Sequence, residues 1–147
     1  MKQVQYVLQF KGKGGPKKGA KNVIAAKTAA TAGTITTSIV AKSVDAKIKA
    51  GRGKASFKSE VWPKADGTFT ESGTITFAGA GSISFSTRGV GAMGPSKNSD
   101  LMHGAICWQV DKGTGIFKGA SGIITSNFTF SKKGEVVDNQ WGVIFLK

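Results

Sequence analysis

Cysteine, histidine and arginine are nearly missing from this chain, and each shortage closes off a class of chemistry. A single cysteine, Cys107, in 147 residues excludes an intramolecular disulfide, and with it a small secreted scaffold held by bridges. A single histidine, His103, is too few for a His/Cys zinc cluster. On a presumed strand His103 and Cys107 are four residues apart, about 13 Å, so they do not form a Cys-His dyad. Nothing implies a metal or a cofactor. There is also no unbroken apolar run: glutamines interrupt the hydrophobic residues of MKQVQYVLQF, which reads as neither a signal peptide nor a membrane span. A cytoplasmic protein is the resulting expectation, and the length fits one domain over 1–147.

Acidic residues are scarce as well, leaving a net charge of +13. The excess is uneven. Residues 1–67 hold 14 Lys and Arg against 3 Asp and Glu, whereas residues 68–147 hold 7 against 5. A basic surface therefore belongs to the first half. Only Arg52 and Arg88 are arginine, the residue suited to bidentate phosphate contacts. No aromatic residue lies between Lys11 and Lys54, so base-stacking rings are not interleaved with the positive charge. A solvated, Lys-rich face that keeps the protein soluble is one reading, and weak attraction to a polyanion is the other. The Lys/Gly segment 11–21 reads as a mobile basic loop.

What the chain does have is alternation. Val4, Tyr6, Leu8 and Phe10 share one face of a strand. The same period of two gives 35–41, 55–61, 69–77, 83–87, 102–110, 124–130 and 137–145, eight strands in all. Between them stand turn clusters such as KADG, AGAG, GPSKNSD and SKKGE. Only the alanine-rich stretch 19–33 offers a short helix. Antiparallel strands with no helices to cover them hide their apolar faces by closure or by stacking. Strands of this length with short turns point to an all-β fold, a single eight-stranded, up-and-down antiparallel barrel.

Two glycine-rich stretches test for nucleotide binding. GVGAMG matches the spacing of a dinucleotide fingerprint, but Pro95 and a run of turn residues follow where that motif requires a helix N-terminus. GTGIFKGASG places Lys118 where a third glycine would be needed, and a strand follows. Its glycines instead suit a hairpin and the bends of a closing sheet, with Phe117 turned inward as a plug. The pattern of Gly113, Gly115, Phe117, Gly119 and Gly122, with the final strand WGVIFLK, resembles the allene oxide cyclase barrel family and its dirigent-like relatives. The resemblance covers roughly the last third of the chain. It implies an eight-stranded barrel, often oligomeric, whose apolar cavity in some members cyclises lipophilic substrates. The family's catalytic carboxylate does not map onto a position here.

Polar residues with inward parity are the remaining candidates. Glu71 shares a face with Phe69, Ile75 and Phe77, where desolvation would raise its pKa towards that of a general acid or base. Asn139 shares parity with Trp141 and is the second catalytic candidate. Tyr6, Phe77, Phe85, Trp108, Ser126, Phe128 and Trp141 are expected to wall a pocket or pack a core. The leading expectation is a barrel that binds a hydrophobic small molecule, with cofactor-free cyclisation or isomerisation as its chemistry. The alternatives are a polyanion-binding protein acting through the basic half and an assembly barrel with no ligand.

Overall fold

The computed structural model describes residues 1–147, except for the side chain of Thr34. Nine strands account for nearly all of it: β1 (Lys2–Pro16), β2 (Ile24–Val40), β3 (Ser43–Pro63), β4 (Thr68–Phe77), β5 (Gly81–Thr87), β6 (Gly91–Pro95), β7 (Leu101–Gly113), β8 (Ser121–Ser131) and β9 (Glu135–Leu146). The helical residues are a single 3-10 turn, Gly115–Phe117. The alanine-rich stretch 19–33 expected to be helical is turn up to residue 23 and strand β2 from Ile24, and of the segment 11–21 expected as a mobile loop, Lys11–Pro16 is strand paired with β2 while 17–21 connect the two strands. Tertiary pairing overrides the helical preference of alanine there, because an isolated segment of this length gains little from propensity alone.

All neighbours pair antiparallel, and β1 pairs with β9 from Lys2↔Leu146 to Lys13↔Glu135, which joins the two ends of the chain. With β3 paired to β4, the sheet forms a ring of eight strands. The ninth strand does not widen it. β5 pairs with β4 and β7 near one end, and β6 continues between the same two neighbours near the other, with Thr68↔Ala92 on one side and Ala92↔Ala105 on the other. The GVGAMG glycines thus mark a break within one position of the ring, spanned by a hydrogen bond from the Arg88 N–H to the Cys107 carbonyl.

Alternation then sorts each strand into an inside and an outside. Phe10, Phe57, Phe69, Ile75, Ile83, Phe85, Trp108, Ile124 and Ile144 are buried inside the ring. Phe57 stacks on Phe85 at 5.3 Å, and Phe85 lies 4.6 Å from Trp108, an aromatic stack that fills the middle of the interior. Gly73 is required by that stack: a Cβ there would strike the Lys58 carbonyl and sit 2.8 Å from the Phe85 ring.

The facing of β9 corrects the sequence expectation. Asp138, Gln140, Gly142, Ile144 and Leu146 point inward, while Asn139 and Trp141 are exposed on the outer surface. Cross-strand partners share a face, and Ser126↔Gln140 and Phe128↔Asp138 put those residues inside with β8's buried set. A facing of this kind predicts unequal sensitivity. Ile144→Ala should cost about 2–5 kcal/mol, whereas Trp141→Thr should stay within about 1 kcal/mol; urea unfolding of the two variants measures the difference.

Candidate functional site

Below the aromatic stack the interior is not full. A cavity of about 70 Å³ remains, walled by Phe57, Val61, Phe69, Met93, Trp108 and Phe128 and carrying Glu71, Ser126 and Asp138. That is several times the space one water needs, which is about 10–15 Å³. Gly14, Ile24, Phe130 and Val136 are only partly buried and form its rim, while Glu71, Ser126, Asp138 and Trp108 are buried deeper.

Two carboxyls inside a small apolar space are the unusual feature, since buried acids are costly unless paired, hydrogen-bonded or protonated. Asp138 is held by two donors, with Ser126 Oγ at 2.6 Å and Gln140 Nε2 at 2.6 Å. Gln140 in turn accepts from the Tyr6 hydroxyl at 3.2 Å. Gly142 makes room for that tyrosine, because a Cβ there would run into the Tyr6 ring. Burial pushes Asp138 up to about 6, with the Ser126 and Gln140 hydrogen bonds acting against it. Burial, reinforced by the Asp138 charge, pushes the Tyr6 hydroxyl well above its usual range.

Glu71 lies on β4 across from Val61. Its backbone is fixed by Thr87, whose Oγ1 accepts from the Glu71 N–H at 2.6 Å and donates to the Glu71 carbonyl at 2.8 Å. Burial pushes its carboxyl up to about 8; Ser59 pulls it down, the nearby Asp138 raises it, and Trp108 pulls it down. Yet Ser59 Oγ and Trp108 Nε1 are buried with no hydrogen-bond partner in the folded chain. Two unsatisfied polar atoms beside a neutral carboxyl describe a place where a polar group from outside the protein would be welcome.

Of the residues expected at a site, Glu71, Trp108, Ser126 and Phe128 line the cavity together. Phe85 packs behind Trp108 in the stack, and Phe77 lies away from the cavity against Tyr6 and Phe117. Tyr6 reaches the site only through Gln140. Asn139 is outside, hydrogen-bonded to Gln9 at 2.9 Å, and Trp141 is 56% exposed. The acid that sequence reasoning missed is Asp138, next to the residue that it chose. A signal was present: the five residues between Phe130 and Val136 fix how β9 returns along β8, and that register turns Asp138 inward. Among the described residues no group of three or more His, Cys, Asp or Glu side chains could hold a metal ion.

The chain matches no protein-family model, no curated protein and no solved structure, so the site is read from its own geometry.

The carboxyl pair makes stability fall with rising pH. Each group holds its proton in the folded state to a higher pH than its ordinary 4.5 or 3.8 allows. Unfolding therefore releases protons throughout that window, and the stabilisation present at low pH is lost as pH rises through about 6 and then about 8. Melting temperatures measured across this range should decline, and Glu71→Gln should flatten the upper part of the decline.

Proposed function

We propose that the ring is an eight-stranded, up-and-down barrel of the allene oxide cyclase-like kind, and that it binds a compact lipophilic molecule carrying one proton-accepting group. We further propose that it isomerises that molecule without a cofactor. The observation that supports this reading is the pairing of two inward carboxyls with different proton affinities on one cavity. Near pH 7 the Glu71 carboxyl is protonated and the Asp138 carboxyl is mostly ionised, which is the division of labour that acid–base catalysis uses. At about 70 Å³ the space is under half of the roughly 150 Å³ that encloses benzene, so a small ring would place its carbonyl end inside and its far edge at the rim of Gly14, Ile24, Phe130 and Val136.

The roles follow from position. Phe57, Phe69, Met93 and Phe128 enclose the apolar body and exclude water. A carbonyl oxygen of the ligand accepts from the Glu71 carboxyl and from Trp108 Nε1, satisfying the orphaned indole donor. Asp138 removes a proton from the carbon next to that carbonyl; the electron pair moves into the enol form while Glu71 donates to the oxygen. The Asp138 carboxyl then delivers its proton to the carbon two positions further along while Glu71 takes back the proton of the enol oxygen, so the double bond shifts, the carbonyl re-forms and both carboxyls return to their starting states. Ser126 and Gln140 hold the Asp138 carboxylate in place.

The test substrate is 3-cyclohexen-1-one, whose conversion to conjugated 2-cyclohexen-1-one is followed by ultraviolet absorbance. Its rate should be bell-shaped in pH, limited by a base near 6 and an acid near 8. Asp138→Asn should lower the rate by about 10²–10⁴-fold. Glu71→Gln should keep part of the activity, through its amide donor, while removing the alkaline limb. A rate equal to that of the Asp138→Asn variant at every pH would refute the catalytic reading. Failure of Trp108 fluorescence to respond to any small cyclic ketone would refute the binding reading.

A further inference from the structure

The longest hairpin of the protein leaves the ring. β1 pairs with β2 only as far as Ala29, and β4 pairs with β3 only as far as Ala55. Beyond the bulge where Gly51, Arg52 and Gly53 oppose Ala32, residues Gly33–Val40 pair with Ser43–Ala50 and with no third strand among the described residues. Each side of this arm is eight residues, about 27 Å at strand rise. One face carries the pairs Ile35↔Ile48 and Ile39↔Val44, with Ile39 82% and Val44 72% exposed. A two-stranded ribbon showing a row of isoleucine and valine to water is poorly stable by itself and marks a surface that something covers.

The charge on the same side of the molecule says what that is. β2 has no extra residue at the bulge, so Ile35 and Ile39 continue the outward face of Lys27, Ala29 and Thr31. A shallow groove joins that face of the ring to Ile35 and Ile48 of the arm. On the adjacent strands β1, β2 and β3, Lys13 stands directly opposite Lys27, and Lys27 directly opposite Lys58. All three are exposed, and none makes an ion pair among the described residues. Glu135 stands opposite Lys13 on its other side, but Lys27 has a lysine on both sides, and facing like charges destabilise a sheet unless an anion neutralises them. From Lys11 to Lys58 the chain carries twelve basic residues and one acidic residue, Asp45.

We propose that this face docks on an anionic lipid membrane, with the lysine row on the headgroups and the apolar face of the arm at the boundary with the acyl chains. A second copy fits poorly, because it would bring the same lysines together. Nucleic acid would neutralise the lysines but leave the isoleucines uncovered, and the arm holds no aromatic ring to stack on a base. The arm lies in the interface and does not span the bilayer, because its unpaired strand edges cannot be buried in hydrocarbon. Lys47 and Lys49, on its opposite face, remain in the headgroup layer.

Co-sedimentation of the full chain with vesicles tests this. Binding is expected to vesicles of phosphatidylcholine mixed with phosphatidylserine, not to pure phosphatidylcholine, and to weaken with salt. Lys27→Gln with Lys58→Gln should reduce partitioning about thirtyfold. Ile39→Ser with Val44→Ser should reduce it by about tenfold or more, while unfolding of the ring, which these side chains do not touch, stays unchanged. Absence of binding to the mixed vesicles, or undiminished binding of the serine variant, overturns the proposal. So does tighter binding to duplex DNA than to the mixed vesicles, or a dimer in size-exclusion chromatography that the serine variant abolishes.

Discussion

The pairing of the first strand with the last turns a meandering sheet into a ring that has an inside. Between Lys2↔Leu146 and Lys13↔Glu135 the two ends of the chain zip together, and the alternating side chains of β1 and β9 acquire a shared interior that neither has alone. Tyr6 meets Gln140 only because of this seam, and Gln140 then reaches Asp138 on the same strand. The polar network on the cavity wall is therefore built across the closure.

Inside the ring, aromatic packing and carboxyl burial work against each other. Phe57, Phe85 and Trp108 exclude water from the middle of the barrel-like ring, and the same exclusion raises the cost of every nearby charge. Asp138 recovers part of that cost through Ser126 and Gln140. Ser59 and Trp108 lie close enough to lower the Glu71 pKa without closing well-formed hydrogen bonds, and burial outweighs both, so Glu71 retains its proton. Two acids of ordinary intrinsic strength are thus driven apart by what surrounds them, and the difference is what gives the cavity a chemical polarity. A core of this kind gives up stability that a wholly apolar lining would keep.

Much of this was legible in the residues. The inward sets of β1, β3, β4, β5, β7 and β8 follow from alternation, because on those strands the aromatic and large apolar side chains concentrate on one parity, as with Phe69 and Ile75 on β4, Ile106 and Trp108 on β7 and Ile124 on β8, and the exceptions Val7, Trp62 and Ile123 are exposed. β9 breaks the rule by carrying Trp141 and Phe145 outside and Ile144 and Leu146 inside. Its inward positions 138, 140 and 142 are Asp, Gln and Gly, which is what the network and the Tyr6 ring require, so hydrophobicity points the wrong way. β2 was obscured for a related reason. Its ring-forming half faces inward with Ala26, Thr28 and Ala30, small residues beside the larger phenylalanines, and its conspicuous alternation, Ile35 to Ile39, belongs to the arm. Nor can alternation show where a sheet leaves its neighbours; that depended on Gly51 and Gly53 at the bulge.

The protonation of Glu71 is the point on which the site's chemistry turns. Carbon-13 nuclear magnetic resonance of the side-chain carboxyls, with Glu71→Gln used for assignment, reads it directly. The account predicts a Glu71 carboxyl still protonated at neutral pH and titrating near 8, while Asp138 titrates near 6. A Glu71 signal that titrates near the ordinary 4.5 would mean that water reaches the carboxylate freely, and the cavity would then hold two like bases with no acid between them.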